Sequence, residues 1–210
     1  MTSAAFNAEL VISHLEKACV EDGDVRLLDY IEAYRELNKL FASFGKIFTF
    51  VESDVRTKEQ ILDNYCTEDS EHYVTVKSMV NWEIKDGIPP KKEGSRTLLR
   101  LHRALEFLSE FLADLKDPKK GDQLSTLCRE SYGRTLAKYH SFIIRNAVAL
   151  ASFTLGSREA FIKNLASQSN VVNPSEEQIT ETIDRLISAS KIVYQRVQVI
   201  YSDNQLLDLP

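Results

Sequence analysis

The chain has 210 residues, 43% of them hydrophobic, and a formal net charge of −5. That length suits one large domain with a substantial core, and the acidic balance gives no support for nucleic-acid binding, which calls for a basic one. With only 7 Gly and 5 Pro, a many-turned β protein is disfavoured, whereas the Leu, Ala, Glu, Lys and Arg of the regular segments favour helix.

Helical periodicity recurs along the chain. A first helix is predicted over 5–20, with Leu10, Ile12, Leu15 and Cys19 on its inner side. A second runs over 27–65 with a bend near Gly45, burying Ile31, Leu37, Leu40, Phe41, Phe44, Ile47, Phe48 and Val51. A third covers 70–86, and the segment Asp86 to Gly94 then breaks the pattern with two prolines and two glycines. Ser95 reads as the N-cap of a fourth helix that ends near Leu115. After a turn at 117–122, helices are predicted over 123–137, 141–154 and 157–167. Asn173 or Ser175 caps a long last helix ending near Tyr201, and a tail covers 203–210. No repeat, low-complexity tract or linker stands out, so residues 1–210 read as a single all-α domain.

The N-terminus lacks the basic start and apolar stretch of a signal peptide. The longest apolar candidate for a span, Phe142 to Leu155, is short and broken by Arg145 and Asn146. Cys19, Cys66 and Cys128 are odd in number and form no CxxC pair, which fits reduced thiols better than a disulfide framework or zinc site. A cytosolic protein is expected.

The fourth helix carries the most informative pattern. Arg96 and Arg100 stand four residues apart, on one helical face, among Leu98, Leu99, Leu101 and Leu105. A charge at the edge of a core costs several kcal/mol unless an anion compensates it, and paired guanidinium forks suit the oxygens of a phosphate. Asp54 and Lys58 share the same spacing. They read either as a surface ion pair worth ~0.3–0.5 kcal/mol or as an acceptor and a cation beside a ligand. Together the four side chains would suit a phosphate with a nearby hydroxyl or amide N–H.

His140 precedes an apolar helix, where a lone histidine is commonly a cap or a satisfied core residue. His102 reads as a partly buried helical residue. His14 and His72 have no partner at metal-ligand spacing, so neither a metal site nor a cofactor is expected. The chain contains no GxSxG, HExxH, P-loop or GxGxxG pattern, and Cys128 beside Arg129 reads as a structural thiol. No enzymatic activity is expected.

Four motifs carry a resemblance to a known family: Phe48-Thr-Phe-Val-Glu-Ser-Asp54-Val-Arg-Thr-Lys58, Arg96-Thr-Leu-Leu-Arg100-Leu-His-Arg-Ala-Leu, Tyr139-His140, and Leu206-Leu-Asp-Leu-Pro210. In order and spacing, over nearly the whole chain, they resemble the glycolipid transfer protein superfamily and its ceramide-1-phosphate-transferring branch. The resemblance implies a two-layer helical sandwich enclosing the chains of one sphingolipid in an apolar pocket. It implies that Lys58, Arg96 and Arg100 bind the phosphate. Asp54 would accept from the sphingoid amide and hydroxyl, and His140 would donate to the acyl amide carbonyl. Glycolipid-binding members carry Asn and Trp where Lys58 and Arg100 stand, a pair suited to a neutral sugar. Phe107 and Phe142 replace Trp of the better-known animal member, and Phe142 begins a helix associated with membrane contact in this family. Phe still inserts at a membrane interface but lacks the indole N–H. Lys91 and Lys92 would add attraction for anionic lipid.

The expected function is non-vesicular, non-enzymatic transfer of ceramide-1-phosphate or a related phosphosphingolipid. A monomer in transient peripheral contact with membranes would carry it out. The runner-up is a lipid sensor that binds but transfers nothing. Lys58 and Arg100 disfavour a glycolipid carrier, and an enzyme acting on phosphosphingolipids has no visible nucleophile, base and metal set.

Overall fold

A computed structural model of the chain describes residues 6–43, 48–117, 121, 123–167 and 174–210. The described helices, in chain order, are α1 (Ala8–Ala18), α2 (Leu27–Ser43), α3 (Thr49–Glu68), α4 (Val76–Glu83), α5 (Gly94–Lys116), α6 (Leu124–Arg134), α7 (Phe142–Ser152), α8 (Arg158–Ser167) and α9 (Glu176–Asp203). Short 3₁₀ turns at Ile84–Asp86 and Ala137–Tyr139 extend α4 and link α6 to α7. Among the described residues the only strand-like pairings are two isolated bridges, Cys19 with Val25 and Arg26 with Thr75.

The architecture is the all-α, two-layer sandwich. Helices α1, α2 and α3 neighbour one another in sequence; α9 packs on α1, α5 packs on α3, and α5 and α9 pack together. Helix α5 is the hub, meeting α3, α4, α6 and α9. Its Leu98, Leu99, Leu101, Leu105, Phe111, Leu112 and Leu115 are all buried, so the apolar repeat that predicted the helix also fills the space between the layers. No helix among the described residues is long and apolar enough to cross a membrane.

Several boundaries differ from those expected. Helix α1 starts after Asn7, whose side chain accepts the Glu9 N–H at 3.0 Å, and Leu10 faces out at 44% exposure. The inner stripe is instead Val11, Ile12, Leu15 and Ala18. The helix expected over 70–86 begins at Val76, because Thr75 and Ser78 form a reciprocal capping box there. Ser175 with Gln178 caps α9 in the same way. The bend near Gly45, with Phe44, Ile47 and Asn173, lies outside the described residues.

The start of α5 corrects the reading of Ser95. That residue is inside the helix, and its hydroxyl finds no partner. The buried carboxylate of Glu83, delivered by α4, caps α5 instead: Oε1 accepts from the Gly94 N–H at 2.9 Å and Oε2 from the Ser95 N–H at 2.8 Å. Tyr73 donates to the same Oε1 at 2.8 Å. The carboxylate thus satisfies two donors that a helix start would leave open. Gly94 is required for this approach, since a Cβ would lie 2.6 Å from Glu83 Oε1 and 2.9 Å from Tyr73 Cε1.

Candidate functional site: a cationic cluster around Asp54

Asp54 and Lys58 project from α3 and form an ion pair across one turn, with the lysine largely covered and the carboxylate exposed. Helix α5, packed on α3, carries Arg96, Arg100 and Arg103 at positions i, i+4 and i+7, along one face. Their surroundings differ. Arg96 is half-buried, with its Nε covered and unpartnered. Arg100 is exposed, with one Nη2 contact of 3.3 Å to the Pro210 carbonyl oxygen. Arg103 donates from Nη2 to the carbonyls of Leu207 at 2.8 Å and Leu209 at 3.1 Å.

His140 approaches from the turn between α6 and α7, with its Nδ1 2.8 Å from the Tyr132 hydroxyl. Burial is the main cause that lowers its proton affinity; Lys58 and Arg103 push the same way, and Asp54 opposes them. The histidine thus senses charges from both α3 and α5. Burial also raises the Tyr132 pKa, keeping that hydroxyl protonated. The Tyr132 hydroxyl can donate to Nδ1 or accept from it; donation leaves the proton of the neutral ring on Nε2, the tautomer that donates to a carbonyl.

The structure therefore brings Asp54, Lys58 and His140 into one electrostatic neighbourhood, beside the arginine face of α5. It does not bring Lys91 and Lys92 into it. Lys92 lies 3.7 Å from Asp69 and over the Tyr73 and Trp82 rings at 5.6 and 5.0 Å, while Lys91 extends into solvent 4.0 Å from Asp86. His102 is buried, stacked on Tyr194 at 4.3 Å and paired with Gln198 at 2.7 Å, which is a core role.

Ser141 caps α7 and sets Phe142 at its first position. Phe142, Ile143, Leu150 and Phe153 are 71, 78, 67 and 63% exposed, while only Ala151 and Ser152 of this helix are buried. So many large apolar side chains on one exposed helix mark a surface meant for an apolar partner. Phe142 was named in the sequence through the family resemblance; Ile143, Leu150 and Phe153 were not singled out. Arg103 was also missed, although its i+7 spacing from Arg96 was visible. Tyr132 carried no local signal.

Residues 25–167 match the family described as glycolipid transfer protein, and the chain belongs to that family. Mouse ceramide-1-phosphate transfer protein is 34% identical over 215 residues, which cover 98% of this chain and 97% of the relative. The crystal structure of human ceramide-1-phosphate transfer protein in complex with 12:0 ceramide-1-phosphate aligns with a TM-score of 0.86 at 33% identity, covering 98% of this chain and 100% of that one. The human complex with 2:0 ceramide-1-phosphate aligns with a TM-score of 0.87 at 32% identity and the same coverage.

Proposed function

We propose that this chain binds one ceramide-1-phosphate, or a related phosphosphingolipid, and carries it between membranes without chemical change. The observation that carries this reading is the placement of Asp54 and Lys58 on α3 beside His140 and the arginine face of α5. Lys58, Arg96 and Arg100 would hold the phosphate through charge-assisted hydrogen bonds. Asp54 would accept from the sphingoid amide and hydroxyl, and His140 would donate from Nε2 to the acyl carbonyl. The full-length likeness to ceramide-1-phosphate transfer proteins supports the same assignment.

The need for a carrier is energetic. Bringing about 30 chain methylenes into water would cost on the order of 24 kcal/mol, at ~0.8 kcal/mol each. The buried apolar residues of α3 and α5, among them Val55, Leu62, Leu98 and Leu105, would have to part to admit the chains, and would then offer a medium nearly as favourable as the bilayer, so that uptake and release both stay accessible. Headgroup contacts worth about 1.5–3 kcal/mol per charged hydrogen bond then select the lipid. The exposed face of α7, led by Phe142, would dock on the membrane, with Lys91 and Lys92 adding attraction for anionic lipid. The carrier would act as a cytosolic monomer.

The test is vesicle-to-vesicle transfer of fluorescent ceramide-1-phosphate beside galactosylceramide, with Arg100→Leu as control. Rapid, selective and arginine-dependent movement of the phosphate lipid is expected. Binding without movement would make the chain a sensor, and selective movement of the galactolipid would overturn the roles of Lys58 and Arg100.

A further inference from the structure

We propose that Arg103 is a positioning residue: it holds the C-terminal tail and the Tyr139–His140 turn against α5, while staying off the lipid phosphate itself. The inference rests on the phosphosphingolipid reading above and adds to it a device that keeps the site assembled.

Arg103 differs from its two neighbours on the same helical face in being already occupied. Its Nη2 donates to the carbonyls of Leu207 and Leu209, which are 104 and 106 residues distant in the chain. Its guanidinium carbon lies 3.8 Å from the centre of the Tyr139 ring. The two carbonyls occupy Nη2, and Nε is buried without a partner; with one face on an aromatic ring, the guanidinium has its position set by the two segments it touches. It is well suited to holding two chain segments together.

Both segments border the site. Tyr139 immediately precedes His140, so fixing its ring fixes the backbone that aims the imidazole. The tail is seated by Leu206 and Leu209, at 0 and 5% exposure, and its Pro210 carbonyl meets Arg100. Without the Arg103 contacts, the tail would be tied to α5 through the 3.3 Å Arg100 contact and its buried leucines, and the turn carrying His140 would lose its stacked ring contact. Lysine does not replace this arginine, because a point charge on a flexible stem cannot lie flat on the Tyr139 ring while it also holds the two carbonyls that Nη2 reaches.

The test uses the full chain with fluorescent ceramide-1-phosphate in phosphatidylcholine vesicles, and amide exchange at Leu209, whose N–H bonds to the Leu206 carbonyl at 3.3 Å. Arg103→Leu is expected to accelerate exchange at Leu209 without lipid and to weaken lipid uptake roughly tenfold. Arg103→Lys should be as impaired as Arg103→Leu. Leu209→Ala, which loosens the tail from the other side, should show a similar loss, and the double variant should be no worse than either single one. Full uptake by Arg103→Lys would overturn the proposal, since it would mean a direct charge on the phosphate. Additive losses, or unchanged exchange at Leu209, would overturn it as well. If Arg103→Leu does not fold, Tyr139→Ala removes the stacked ring and is expected to weaken uptake and loosen the turn; unaffected uptake would count against the proposal. A wild-type chain that takes up no ceramide-1-phosphate would overturn the lipid reading and this role with it. Normal uptake by wild type and by Arg103→Leu alike would overturn this role alone.

Discussion

Asp54 and Lys58 form an ion pair in which the two partners face different media: the carboxylate side chain is 66% exposed and the lysine only 12%. The covered lysine needs an anion, and Asp54 supplies it. On the phosphosphingolipid reading proposed above, a phosphate at Lys58 would take over that task and free Asp54 to accept from the sphingoid amide. Asp54→Val is therefore expected to abolish uptake of phosphosphingolipids. The fold should be kept, because the carboxylate that is removed faces solvent and the flexible lysine stem lets the ammonium turn to water once the pair is lost. Lipid uptake and thermal melting, measured together, check both halves.

Arg100 has one contact, at 3.3 Å, and so is available to a ligand. Arg100→Leu should lower ceramide-1-phosphate transfer by at least tenfold, the loss of about 1.5–3 kcal/mol of charge-assisted bonding, with an unchanged melting temperature. Undiminished transfer in the vesicle assay would remove Arg100 from the phosphate site.

The α7 surface separates docking from binding. Ile143→Asp and Phe142→Asp each place a charge where the most exposed apolar side chains now stand. Both variants should transfer lipid several-fold more slowly between vesicles while binding a short-chain, water-dispersed ceramide-1-phosphate normally. Equal losses in both measurements would mean that α7 shapes the lipid site itself.

The junction of α4 and α5 is a stability element. Glu83 accepts from Tyr73, Gly94 and Ser95, so Glu83→Ala leaves three buried donors unpaired and should cost about 2–4 kcal/mol. Gly94→Ala forces a Cβ to 2.6 Å from the same carboxylate and should cost about 1–3 kcal/mol. Because both act on one junction, denaturant unfolding of the double variant should show less than the sum.

Glu59 sets a pH dependence of stability. It is 5% exposed on the inner face of α3, with one carboxylate oxygen unpartnered. Burial pushes its pKa from 4.5 up to about 7; Arg35 and Arg56 pull it down, and Glu32 and Glu52 raise it further. The folded chain therefore binds this proton more tightly than the unfolded one. The stabilisation is fully present below pH 4.5 and is lost as pH rises through about 7. His102, pushed down to about 4 chiefly by burial, has the opposite slope over the acidic part of that range. Glu59→Gln should thus gain stability relative to the parent chain as pH rises, by on the order of 2–3 kcal/mol between pH 5 and 8. Parallel unfolding curves at the two pH values check it, and a constant difference would count against the buried charge.

Where sequence reading succeeded and failed follows from the range of the interactions involved. The i, i+4 pairs Asp54–Lys58 and Arg96–Arg100 depend on helix geometry alone, and the chain folds them as their spacing implies. Leu10 was assigned inward because it is apolar, but the neighbouring register of Val11, Ile12 and Leu15 decides which stripe meets α2 and α9. Ser95 has the right chemistry for a cap, yet a carboxylate from another helix accepts the Gly94 and Ser95 N–H groups, and the helix begins two residues earlier than a Ser95 cap would start it. In the sequence, Phe142 to Leu155 is weighed as a membrane span and is too short for one; the packing leaves Phe142, Ile143, Leu150 and Phe153 facing out.

By itself, then, the sequence determined the helical class and the helical spacing of the two charged pairs, because each rests on residue chemistry at fixed local spacing. Only the tertiary structure decided that Glu83 caps α5, that His140 comes to face charges from α3 and α5, and that Arg103 is committed to the tail. Those relationships join residues from 11 to 106 positions apart, and no local periodicity encodes which distant partner arrives when the layers close.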